Sequence, residues 1–239
     1  MVYTSLTEAP RNLKEAIDWL MALKGTDPST NLKAMGAALY DFLVQQPVVP
    51  RRLPALEDLK RISKRFMGQK ELRDHPSVSL ILGRFNNPVD RKPGVFAKTM
   101  GSNPEKVADN IGKFVYGTGK LLHDIRHPKH YKSAYSSEAT WAKSCSKNPE
   151  TCAVIFVGIA PMLYTGLLSL RDETSAVDSI FVDFNSVQKR IRNVLNALGY
   201  ADQQRRHVMR PSDILKALSD MDKDLLAILH NLAGVLAFY

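Results

Sequence analysis

Cysteine is scarce in this chain of 239 residues: there are two, Cys145 and Cys152. So few cannot form a disulfide scaffold, and a chain of this length does not need one, since it can bury roughly 70–75% of the surface that its unfolded form exposes. The spacing of the pair is also wrong for the two-residue separation of redox and zinc motifs. A second lack is alternation. No stretch of β-branched and aromatic residues at period two, bounded by turn signals, reads as a strand, which excludes sheet architectures. A third is an uninterrupted apolar run near the start, where MVYTSLTEAPRNLKEAIDWLMALKG carries charges throughout, so no signal peptide is readable. Repeats of fixed period are missing as well, and so are solenoids.

What remains is helical. Apolar content of 44% and charged content of 24% suit a packed globular chain. The spacing predicts an all-α fold, an irregular multi-helix bundle with long loops in the middle third. A first helix buries Leu13, Ile17, Leu20 and Met21 and stops at Gly25; a second buries Leu32, Met35, Leu39, Phe42 and Leu43 and ends at Pro47 and Pro50. From about residue 55 to 67, Leu56, Leu59, Ile62 and Phe66 make an apolar stripe opposite Lys60, Arg61, Lys64 and Arg65. Residues 68–103, broken by Pro76, Pro88 and Pro93, read as loops with one short element around residues 78–82. Asn103 and Pro104 cap and open a further helix through Val107, Ile111, Phe114 and Val115. Later, Val177, Ile180, Phe184, Val187, Ile191, Val194 and Leu198 mark a long amphipathic helix closed by Gly199. Ile214, Leu215 and Leu218 follow in a short helix after Pro211, and residues 225–239 form a last helix that packs on the bundle. We divide the chain into a basic helical region, 1–130, with the irregular insert 68–103, and a helical core, 131–239; the two can share one domain.

One run is long and uncharged: residues 151–170, TCAVIFVGIAPMLYTGLLSL. About 18 apolar residues suffice to span a bilayer, but Gly158, Pro161, Thr165, Gly166 and Ser169 interrupt this run, and its flanks give no orientation signal. It reads as a buried core helix that bends near Pro161, not as a transmembrane span.

Charge is uneven. The net charge is +9, and residues 1–150 hold 24 Lys and Arg against 15 Asp and Glu, whereas residues 151–239 hold 9 of each. A basic half attracts anionic partners, whether nucleic acid, acidic lipid, glycan or protein, and Lys60, Arg61, Lys64 and Arg65 are its densest face. This supports one reading of the chain as an intracellular helical module that binds an anionic ligand such as nucleic acid or an acidic lipid.

Signatures of catalysis and metal binding fall short. GTGK at residues 117–120 has Leu121 where a phosphate loop needs a hydroxyl, so its glycines read as loosening or ending a helix. His123, His127 and His130 have chelating proximity, but Pro128 interrupts them and Arg126, Lys129 and Lys132 repel a dication; they read as an exposed basic helix end. Asp172 with Glu173, and Asp220 with Asp222, read as helix-terminal carboxylates with capping roles. No Gly-x-Ser-x-Gly elbow appears. We therefore expect no enzyme, no cofactor, no metal and no small-molecule substrate. Cys145 and Cys152 enclose SKNPET, and two readings stay open for them: a staple on the start of the apolar run, or two free, partly buried thiols.

Three blocks carry a family resemblance: YTSLTEAPRNLKEAIDWLMALKG at residues 3–25, YKSAYSSEATWAKSCSKNPETCAVIFVGIAPMLYTGLLSLRDE at residues 131–173, and the weaker LNALGY at residues 195–200. Together they resemble the variant erythrocyte surface antigen family of Babesia parasites; residues 44–130 do not match its pattern. The resemblance implies a non-enzymatic protein exported to the surface or membrane of infected erythrocytes without a readable signal peptide. Such a protein takes part in antigenic variation and cytoadhesion, with a host-cell surface protein or glycan, another family subunit or an anionic membrane surface as partners. It also implies pairing of Cys145 with Cys152.

Overall fold

Asn12 opens the first helix, α1 (Leu13–Lys24), by accepting a hydrogen bond from the Glu15 N–H at 2.9 Å, and Gly25 closes it at φ 55°, where a side chain would be strained. The structure is a computed structural model that describes residues 2–44, 54–86, 99–175, 184–206 and 209–236, without the side chains of residues 175 and 184. After α1 come α2 (Pro28–Val44), α3 (Pro54–Met67), α4 (Lys70–Arg73), α5 (Pro76–Asn86), α6 (Pro104–Ile125) and α7 (Trp141–Ser144). Then follow α8 (Pro149–Ser175), α9 (Phe184–Ala197), a 3-10 turn at Asp202–Gln204, α10 (Pro211–Ala217) and α11 (Lys223–Val235). The fold is all-α, with no strand among the described residues.

The apolar run lies in α8, which continues through Pro161 and forms the axis of the bundle. Helices α1, α2, α3, α4, α9, α10 and α11 all pack on it, and 94% of its most apolar stretch is buried. By length and composition this helix could also cross a membrane. Two glycines let neighbours approach closely: a Cβ on Gly158 would stand 2.5 Å from Leu59 Cδ1 of α3, and one on Gly166 2.7 Å from Leu13 Cδ2 of α1. Proline removes a donor from the helix ladder and crowds the carbonyls one turn upstream. There Ser63 Oγ, fully buried, donates to the Gly158 carbonyl at 2.9 Å. Helices from both proposed regions thus pack on α8, and the buried residues form one continuous cluster.

Several elements differ from the sequence reading. The described part of insert 68–103 includes the helices α4 and α5 rather than one short element, because Pro76 occupies a first-turn position, where its missing N–H costs nothing. Ser63 is buried in the stripe of α3 and Ile62 only partly, since steps of three and four from Leu59 lead through Ser63 to Phe66 and Met67. Gly117 and Gly119 do not end α6. They are packing notches: a Cβ on Gly117 would meet Met221 Sδ at 2.5 Å, and one on Gly119 Met21 Sδ at 3.3 Å. Helix α9 buries Val187, Ile191, Val194 and Leu198 as its spacing predicts, and Gly199 follows it at φ 97°. Pro47, Pro50, Pro88, Pro93, Val177, Ile180 and residues 237–239 lie outside the described residues.

Candidate functional site

The three blocks of the resemblance, far apart in sequence, interlock in space. The Tyr3 N–H donates to the Ala134 carbonyl (2.8 Å) and the Ser136 N–H to the Tyr3 carbonyl (2.9 Å), with the Tyr3 and Tyr135 rings 4.8 Å apart. The Leu6 N–H donates to Ser144 Oγ (3.0 Å), and Trp19 Nε1 to the Leu6 carbonyl (2.8 Å). The third block joins through the Lys14 N–H, which donates to the Leu198 carbonyl at 3.0 Å, and through Gly199, whose Cβ position would lie 2.6 Å from the Asn12 side chain.

At the centre of this junction sits a buried polar cluster. Lys14 and Asp18 are one helical turn apart on α1, with side chains 8% and 2% exposed, and form an ion pair at 3.0 Å. Asp18 also accepts from the Ala134 N–H at 2.8 Å and from the Tyr131 hydroxyl. Lys14 Nζ donates to the Lys132 carbonyl at 2.8 Å and lies 4.7 Å from the centre of the Tyr131 ring. Burial, reinforced by the Asp18 charge, pushes the Tyr131 and Tyr200 hydroxyls well above the ordinary phenol range. Tyr135 rises in the same way from burial and the neighbouring Tyr3, and burial with Glu15 pushes Tyr3 up to about 12. The apolar periodicity of α1 gives no sign that its flank carries a buried ion pair; the legible signal was the four-residue spacing of Lys14 and Asp18 beside Ile17.

Cys145 and Cys152 are joined as a disulfide with their Cα atoms 5.9 Å apart, both fully buried, so the end of α7 is tied to the first turn of α8. Between them, residues 146–150 are all exposed.

The structure does not present Lys60, Arg61, Lys64 and Arg65 as one free cationic face. Lys60 is half-buried with Nζ 5.5 Å from the Phe85 ring, and burial, with help from Lys64, pulls its pKa down. Lys64 Nζ donates to Asn86 Oδ1 at 2.6 Å and Arg61 pairs with Asp58 at 2.9 Å, which leaves Arg65 exposed without an ion-pair partner among the described residues.

The carboxylates divide their tasks. Asp222 caps α11 by accepting from the Leu225 N–H (2.8 Å), but Asp220 pairs with Lys120 (2.6 Å), which ties down the lysine of GTGK. Asp172 meets His75 Nε2 at 2.5 Å and Glu173 pairs with Arg190 at 3.2 Å, so these two brace other elements instead of capping. His75 Nδ1 accepts the Ser77 N–H at 3.1 Å, so both ring nitrogens are engaged. No group of three or more His, Cys, Asp or Glu among the described residues could hold a metal ion. A groove of about 830 Å³ lies between α2 and α6 beside exposed Tyr116, with Lys33, Lys113, Asp109 and Asp222 on its walls. A second cleft of about 590 Å³ sets Tyr164 against His230, whose pKa is lowered by burial and by Arg84.

Comparison of the chain with protein-family models, curated proteins and solved structures returns no match in any of the three.

Proposed function

We propose that this chain is a non-enzymatic helical module of the variant erythrocyte surface antigen type. It is exported to the infected red cell, takes part in antigenic variation, and acts by contact with a host-cell protein or glycan. The observation that carries this reading is the interlocking of residues 3–25, 131–144 and 195–200 through backbone and buried side-chain hydrogen bonds. The residues that resemble the family are those that depend on one another for burial, which is how a shared fold marks divergent sequences. A buried disulfide fits an oxidising environment, the usual setting for such bonds. The exposed segment at residues 146–150 offers a site for antibody contact, and the engaged side chains of Lys60, Arg61 and Lys64 weigh against an anion-binding module centred on that face.

The test is labelling of intact infected cells with an antibody raised against residues 133–147. Labelling of unpermeabilised cells supports the proposal; labelling only after permeabilisation refutes surface display.

A further inference from the structure

The C-terminal end of α6 and the chain just after the 3-10 turn are stitched into one cationic surface. The backbones of Arg126 and Arg205 form an antiparallel bridge, the His127 N–H donates to the Gln204 carbonyl at 2.8 Å, and the Arg206 N–H donates to the Ile125 carbonyl at 2.9 Å. Arg206 Nη2 reaches the His123 carbonyl at 3.4 Å. This places Arg126, Lys129, Lys132 and Arg206, all exposed, around one end of the bundle. None of the four has a carboxylate partner among the described residues. His123, His127 and His130 share the surface, the last two with rings 4.5 Å apart. The acids nearby are engaged: Asp202 pairs with the buried Arg205, and Asp124 lies 3.2 Å from His123.

The surface is also held from beneath. Tyr131 donates to Asp18, the Ala134 N–H donates to Asp18, and Lys14 Nζ donates to the Lys132 carbonyl. The buried cluster thus fixes the backbone that carries Lys129 and Lys132, which lowers the ordering cost of binding.

We propose that this surface binds a sulfated polysaccharide. Guanidinium and ammonium groups suit oxyanions spaced along a chain, and release of bound counterions drives such association. Among the described residues, none of the large exposed apolar side chains, Val2, Val44, Leu80, Tyr116 and Leu215, belongs to the segments 123–132 and 202–206 that form the surface, so these segments offer no apolar wedge for a bilayer. Its rings already contact protein groups, which disfavours base stacking: Lys14 Nζ lies 4.7 Å from the centre of the Tyr131 ring, and the His127 and His130 rings are tilted against each other at 4.5 Å. The choice of a glycan as partner rests on the surface-module reading above; the cationic geometry does not.

The test uses the purified full chain and heparin as the sulfated probe, with hyaluronan as an unsulfated polyanion, a single-stranded oligonucleotide, and vesicles containing phosphatidylserine as comparisons. Heparin should bind most tightly. The variant Lys129→Gln/Lys132→Gln should lose about tenfold or more in affinity and lower the slope of log K against log salt by about two, one for each cation removed. Lys106→Gln/Lys113→Gln changes the net charge equally on exposed positions of α6 far along the helix, and should cost less than about twofold; circular dichroism checks that both variants fold. Equal losses in the two variants, or no heparin binding near physiological salt, overturns the proposal. So does tighter binding to the oligonucleotide or to the vesicles, which would assign the surface to another partner. Failure here leaves cell-surface labelling untouched, and failure of labelling leaves heparin binding untouched, so the two readings fall separately.

Discussion

Replacing Asp18 with alanine should be among the most damaging single changes to this chain. Asp18 balances a lysine whose side chain is 8% exposed and accepts hydrogen bonds from Lys14 Nζ, the Ala134 N–H and the Tyr131 hydroxyl. Removing it leaves the Lys14 ammonium buried with the Lys132 carbonyl and the Tyr131 ring, neither of which cancels its charge. Breaking one side of a buried ion pair costs about 3–5 kcal/mol. Total stabilities run about 5–15 kcal/mol, so this loss is a large part of the whole. In a chain of this size it corresponds to a fall in Tm of about 6–20 °C. Urea unfolding monitored by circular dichroism measures it. The decisive comparison is the double variant Lys14→Met/Asp18→Ala, which removes the stranded charge together with its partner. It should be less destabilised than the sum of the two single variants, with a coupling of about 1–3 kcal/mol. A cost below about 1 kcal/mol for Asp18→Ala, or strict additivity in the cycle, would refute the claim that this pair is buried and interdependent.

Three further outcomes follow from the packing. Burial holds Tyr3, Tyr131, Tyr135 and Tyr200 in the neutral form, so above about pH 10 the folded chain keeps protons that the unfolded chain has released. Their stabilising contribution is therefore complete below that pH and is lost as pH rises, by about 1.4 kcal/mol per pH unit for each tyrosine, with Tyr3 itself ionising at about 12. Tyrosinate absorbance should then rise for these residues together with loss of helix, and titration of all the tyrosines near pH 10 with helicity intact would contradict this. Reducing the Cys145–Cys152 bond should cost about 2–3 kcal/mol by the entropy of the short loop it closes, read as a shift in urea midpoint with and without reductant. Gly158→Ala should destabilise by about 1–3 kcal/mol, because the new methyl would meet Leu59 Cβ at 2.8 Å and move α3. Gly83→Ala, with nothing within 4 Å of its Cβ position in an exposed stretch of α5, should instead stabilise by about 0.5–1 kcal/mol. The opposite signs make this a paired test by thermal unfolding.

What the sequence shows and what it hides divide along physical lines. Caps and periodicity are local, so the Gly25 end of α1, the Asn103 start of α6 and the glycine after α9 could be read directly. Burial of the 151–170 run was legible because its composition leaves no polar face to offer to water. Tertiary notches were not. Gly117 and Gly119 read as helix-breakers because their use depends on Met221 and Met21, which lie elsewhere in the chain. The cationic surface was hidden for a similar reason: the density of Lys60, Arg61, Lys64 and Arg65 along one helix is visible in sequence, but their engagement by Phe85, Asn86 and Asp58 is not. Conversely, Arg206 joins Arg126, Lys129 and Lys132 only through backbone pairing across some 80 residues of chain. The histidines at 123, 127 and 130, read from the sequence as an exposed basic helix end, are part of that surface, at the C-terminal end of α6.

The polar cluster under this surface raises the question of why an ion pair sits where apolar residues would pack well. Desolvating Lys14 and Asp18 offsets much of their attraction, and a hydrophobic replacement of similar volume is often no less stable. What apolar contact does not supply is direction. Asp18 accepts from one backbone N–H and one hydroxyl, and Lys14 donates to one carbonyl, all three within residues 131–134. These bonds select one path for the chain that leaves the cationic turn, whereas a greasy junction would accept several. The apolar axis around α8 supplies cohesion without regard to orientation; the cluster supplies orientation at little net gain in stability. It follows that Lys14→Met/Asp18→Leu could restore stability and still lose the register of Lys129 and Lys132, so heparin affinity, rather than Tm, is the measurement that reveals what this ion pair is for.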